Sequence, residues 1–102
     1  MDYTEVKTKK EFLNLLSKVK REAEKLANKY PEITMYLSIF NQLSDVNKLL
    51  EEGYSFTEDE IYNRYSFGAI AVKNFDCDED LFGRELQDLF GALFEYETMP
   101  QN

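Results

Sequence analysis

The chain has 102 residues, 43% apolar and 15% aromatic, which suits a single domain with its own core and is too apolar for disorder. Twelve Lys and Arg against 20 Asp and Glu give a net charge of −8, the wrong sign for neutralising nucleic-acid phosphates. With no histidine and one cysteine, Cys77, an internal disulfide, a His/Cys metal site and any histidine-based triad are excluded, and a lone thiol fits a reducing cytoplasm.

Residues 1–7 are polar and are expected to fray. Thr8-Lys9-Lys10-Glu11 has the form of a capping box, in which hydroxyl and carboxylate each accept a free amide. Behind it Phe12, Leu15, Leu16, Val19, Ala23, Leu26, Ala27 and Tyr30 recur at helical spacing and predict a first helix over residues 8–29. Pro31 interrupts it and suits the first turn of a second helix, residues 32–52. The predicted stripe there is Ile33, Tyr36, Leu37, Phe40, Leu43, Val46 or Asn47, and Leu50, with Gly53 as a left-handed stop.

Thr57-Glu58-Asp59-Glu60 is a second capping box with an acidic first turn that complements the helix dipole. It opens a third helix, residues 58–75, with Ile61, Tyr65, Gly68, Ala71 or Val72, and Phe75 on one face. A glycine inside a helix costs up to about 1 kcal/mol against alanine, so Gly68 implies close approach of a neighbour. Asp76 or Asp78 then caps a fourth helix, residues 79–96, whose apolar face holds Leu81, Phe82, Leu86, Leu89, Phe90, Leu93 and Phe94. Residues 97–102 are expected to be a frayed tail. Four amphipathic helices, short connections and no alternating strand pattern predict an all-α single-domain bundle with antiparallel neighbours.

Catalytic chemistry has no foothold in this pattern. The four glycines lie far apart and form no phosphate loop. Asp76-Cys77-Asp78-Glu79-Asp80 fails as a calcium loop, since its sixth position is Leu81 and its twelfth Gln87. Carboxylate pairs such as Glu51 with Glu52, or Glu58 with Glu60, fall at helix ends expected to be solvated, and nothing in the sequence suggests the burial that acid–base work needs. Carboxylates beside Cys77 raise its thiol pKa and make it a poor nucleophile. No catalytic residue, cofactor or metal is expected. No apolar run approaches the ~18 residues of a membrane span, and no basic start precedes an apolar run, so a soluble cytoplasmic protein without a membrane partner is expected.

Charge is unevenly spread. Residues 1–29 carry eight cations and five anions, and residues 30–102 carry four and fifteen. An acidic body attracts a basic protein surface. Tyr54, Phe56 and Tyr62 fit the helical stripes least well, so they are candidates for interface anchors or for loop packing onto helix ends.

Tyr30-Pro31, Leu37-Ser38, Gln42-Leu43, Arg64, the string Gly68-x-Ile70-Ala71-Val72-Lys73-x-Phe75-Asp76, and Arg84-x-Leu86-x-Asp88 together resemble a family of small helical immunity proteins. Its members neutralise type VI secretion effectors that are NAD(P)+ glycohydrolases, and a related member guards against a toxin that makes (p)ppApp. The Gly68-to-Asp76 string is the specific part. The resemblance implies a cytosolic, non-catalytic protein that binds a cognate secreted toxin domain and occludes its active site. A dinucleotide-binding toxin presents a basic cleft to the phosphates. Glu51, Glu52, Glu58, Asp59 and Glu60, with Asp76, Asp78, Glu79 and Asp80, form a candidate acidic rim for that cleft. Tyr54, Phe56, Tyr62 and Lys73 complete the candidate contact set. Surface aromatics leave a homodimer of the free protein open. The alternative function is a helical regulatory or adaptor domain in a cytosolic assembly.

Overall fold

Both predicted capping boxes form. Thr8 Oγ1 accepts from Glu11 N at 3.1 Å while Glu11 Oε1 accepts from Thr8 N at 3.1 Å, and Thr57 and Glu60 repeat the exchange. The computed structural model describes residues 6–102, and the described residues form helices and no strand. The helices are α1 (Lys9–Lys29), α2 (Thr34–Glu51), α3 (Glu58–Arg64), α4 (Phe67–Asn74) and α5 (Leu81–Leu93), followed by a 3-10 turn at Tyr96–Thr98. Residues 1–5 of the expected frayed start lie outside the described residues, and Val6 is buried.

Five helices replace the predicted four because the third breaks at Tyr65. Tyr65 is extended (φ −127°, ψ 142°) and caps α3. Side chains two apart on one helix do not share a face, yet Tyr65 and Phe67 are both buried, with ring centroids 6.0 Å apart. The break meets both demands. Gln42 on α2 secures it: its Oε1 accepts from Ser66 N at 2.7 Å and Phe67 N at 3.0 Å, taking two amides that the start of α4 leaves free.

Other boundaries also move. Pro31 sits in the turn before α2 instead of its first turn, and Ile33 is the residue at the N-cap. Asp80, not Asp76 or Asp78, caps α5, accepting from Phe82 N at 3.0 Å and Gly83 N at 3.3 Å. Gly53 is the one residue with positive φ (79°) among those described, as its place after α2 requires. Residues 97–102 run beside the start of α1, where Lys9 N donates to Pro100 O at 2.8 Å and Lys10 N to Gln101 O at 3.2 Å. The tail thereby satisfies amides that a helix start cannot pair internally.

α1 packs against α2 and α5, and α4 against α5. α5 runs antiparallel to both α1 and α4: Phe12 meets Tyr96, Lys18 meets Glu85, Gly68 meets Phe90, and Phe75 meets Gly83. The core holds Phe12, Leu16, Val19 and Ala23 of α1, Ile39, Leu43 and Val46 of α2, and Leu86, Leu89 and Ala92 of α5. Each large side chain fully buried there contributes about 1.5–3 kcal/mol. The predicted α2 stripe is partly out of phase: Ile39 is buried, whereas Ile33 and Leu37 are 41% and 51% exposed. Met35 to Phe40 is nearly continuous in apolar residues, so periodicity there does not select a face.

Candidate functional site

The candidate acidic residues fall into two groups at opposite ends of α2. Tyr36, near the start of α2, packs on Phe75 at the end of α4, with centroids 6.5 Å apart. That contact places Asp76–Asp80 beside the α2 N-terminus. Asp45 in the second half of α2 accepts from Arg64 and Tyr65, which draws α3 towards the α2 C-terminus, where Glu51 and Glu52 lie. From Tyr36 to Glu51 the helix rises about 22 Å at 1.5 Å per residue. The single rim expected from sequence is therefore two patches.

At the Glu51 end, Glu51, Glu52, Glu58 and Asp59 are exposed. Asn47 Nδ2 donates to Glu51 Oε1 at 3.2 Å. Glu60 is engaged internally: Oε1 accepts from Thr57 N at 3.0 Å, and Oε2 accepts from the Tyr54 hydroxyl. The Tyr54 bond, then that of Thr57, holds the Glu60 carboxyl below the usual range, and the same bond raises the Tyr54 phenol. Tyr54 and Phe56 are half-buried and stack edge-on at 5.0 Å, and Phe56 meets Tyr65 at 5.7 Å. These two aromatics close the connector over α3.

At the other end, Asp76 and Asp80 organise the α4–α5 turn. Asp78 N donates to Asp76 Oδ1 at 3.1 Å, and Asp80 is the α5 cap. Asp78, Glu79 and Lys73 are exposed. Cys77 is a half-buried free thiol, pushed up first by burial and then by Asp76, Asp78, Asp80 and Asp88. Among the described residues no group of three or more acidic, cysteine or histidine side chains is placed to hold a metal ion. No described helix is long and apolar enough to cross a membrane.

Tyr62 behaves differently from Tyr54 and Phe56. It is 63% exposed, yet its ring rests on Phe94 at 4.9 Å and Phe90 at 6.2 Å. It forms one wall of a groove of about 390 Å³ between α4 and α5, whose floor and sides include Gly68, Ala69, Val72 and Gly91. Val72, expected as an alternative to Ala71 on the core face, is instead 61% exposed on this groove, and Ala71 is buried. Spacing left the two equivalent, and the packing of α4 on α5 separates them.

A second groove of about 450 Å³ runs between α2 and the α3–α4 joint, lined by Leu37, Ser38, Gln42, Asp45, Arg64 and Tyr65 among others. Arg64 Nε donates to Asp45 Oδ2 at 2.9 Å, and the Tyr65 hydroxyl donates to the same oxygen at 2.6 Å. Sequence periodicity missed this groove, because its residues come from two helices and a joint that only folding aligns.

The Tsi6 family model matches residues 11–95, which contain all five helices except the first two residues of α1. No curated protein and no solved structure matches significantly.

Proposed function

Because the chain belongs to the Tsi6 family, a family of type VI secretion immunity proteins and not of enzymes, we propose that its cognate toxin is an NAD(P)+ glycohydrolase domain whose active site it covers. The family match carries this reading. The acidic surface supports it: a cleft that binds a dinucleotide presents cations to two phosphates, and exposed carboxylates complement those cations. Complementary charge raises the association rate, which matters when each free toxin molecule consumes an essential cofactor. Protection of an NAD(P)+ pool places the protein in the cytoplasm.

The test is co-expression with each type VI effector toxin domain of the same bacterium, reading survival and cellular NAD(P)+. One toxin domain should deplete the cofactor alone and fail to do so with this chain present. Equal depletion with and without the chain, for every such domain, defeats the proposal. Protection against a toxin that leaves NAD(P)+ intact defeats the glycohydrolase assignment while keeping the immunity role.

A further inference from the structure

On the toxin-binding reading above, we infer that the centre of the interface is the α4–α5 groove with Tyr62 beside it, and that the toxin fills it with an apolar side chain flanked by Lys or Arg. Two exposed large apolar side chains, Tyr62 and Val72, border this one groove. Tyr62 is held by Phe90 and Phe94, so its ring is already ordered before any partner arrives. Binding energy concentrates on such aromatic anchors because little freedom is lost when they are covered.

The flank of Phe90 forms part of the groove floor. A Cβ at Gly68 would meet the Phe90 ring, and Ala69 and Gly91 add little bulk. An inserted side chain therefore reaches the flank of Phe90. Charge specifies what surrounds that side chain. Glu58 and Asp59 lie one turn before Tyr62 on α3, and Glu95 lies one turn beyond Gly91. All three are exposed, and their carboxylates make no ion pair or hydrogen bond among the described residues. Of the cations on α3 and α4, Arg64 is paired with Asp45, and Lys73 lies one turn past Ala69. Three unpaired carboxylates around an apolar centre select a partner that is apolar at its tip and basic at its edge. The cations lining a dinucleotide cleft supply that edge. A second copy of this chain fits poorly, since it would set carboxylates against carboxylates on a molecule of net charge −8.

The experiment measures affinity of the purified cognate toxin domain, the one that passes co-expression, for the wild type and four variants. Ala69→Trp fills the groove from an exposed position, and Tyr62→Ala removes its wall. Glu58→Lys with Asp59→Lys reverses the edge, and Leu37→Glu alters an exposed apolar residue of the other groove. Circular dichroism confirms that each remains helical. Ala69→Trp and Tyr62→Ala should each weaken binding at least about 30-fold, the range of interface hot spots. Leu37→Glu should change it less than about threefold, as off-centre positions do. Wild-type affinity in both groove variants, equal losses in Leu37→Glu, or a free wild-type dimer that Ala69→Trp dissociates overturns the inference and leaves the immunity reading standing. Failure of the wild type itself to bind any toxin domain of its bacterium overturns both.

Discussion

Phe90 lies so close over Gly68 that a Cβ on that glycine would stand 2.5 Å from two ring carbons. The contact is reciprocated at the other end of the same helix pair, where Phe75 covers Gly83. Each helix gives a glycine to an aromatic near the far end of its neighbour. Gly68→Ala and Gly83→Ala should therefore destabilise the fold. Alanine gains up to about 1 kcal/mol of helix propensity, but overpacking costs about 1–3 kcal/mol. Urea unfolding should show a net loss of about 1–2 kcal/mol for each. A stabilised Gly68→Ala protein would mean that Phe90 moves aside freely.

Gln42 offers a sharper test of the α3–α4 joint. Its carbonyl oxygen accepts from Ser66 N and Phe67 N, and its Nε2 donates to the hydroxyls of Ser38 and Ser66. Gln42→Leu strands those amides and should cost about 1–3 kcal/mol. Gln42→Glu keeps the acceptor, and the serine hydroxyls can turn to donate, so it should cost under about 1 kcal/mol. Equal losses in the two variants would show that shape, not hydrogen bonding, holds the joint.

The joint also predicts a pH dependence. The hydrogen bond from Arg64 holds the Asp45 carboxyl below its ordinary 3.8, with burial opposing and the Tyr65 hydroxyl assisting. A carboxyl whose folded pKa is depressed stabilises the protein above its unfolded pKa, and that contribution is lost as pH falls through the folded value. Glu60 is shifted the same way by Tyr54 and acts in the same window. Asp45→Asn should cost about 1 kcal/mol at pH 7, a modest figure because solvent screens a pair whose side chains are 45% and 38% exposed. The gap between wild type and variant should close as pH falls below about 4. A constant gap down to pH 2 would remove the ion pair from the account.

The separation of the two acidic patches predicts unequal effects on toxin association. Charge is screened beyond about 8 Å in physiological salt, while the patches lie at opposite ends of α2. Glu58→Lys with Asp59→Lys should slow association about tenfold or more at low salt and flatten its salt dependence. In physiological salt, where the far patch is screened, Asp78→Lys with Glu79→Lys should change the rate less than about threefold. Stopped-flow association rates across a salt series decide the matter, and equal slowing by both pairs would place the toxin along the whole length of the bundle.

Local chemistry made much of this molecule legible in its sequence. Thr8-x-x-Glu11 and Thr57-x-x-Glu60 start helices wherever they sit, because the capping partners are three residues apart. Gly53 ends α2 because a left-handed residue is needed there. Gly68 announced a close approach without naming the neighbour, and Phe90 of α5 proved to be it. What the sequence could not decide were relations between distant residues. The break at Tyr65 depends on Gln42 and Asp45, about 20 residues earlier, offering partners to Tyr65, Ser66 and Phe67. The division of the acidic residues into two patches depends on where α4 ends against Tyr36. The exposure of Val72 beside Tyr62, and with it a groove edged by free carboxylates, follows from how α4 lies on α5. Caps and stops are set by contacts within a turn, and so are written locally. Faces, joints and grooves are set by which helices meet, and only the folded chain holds that information.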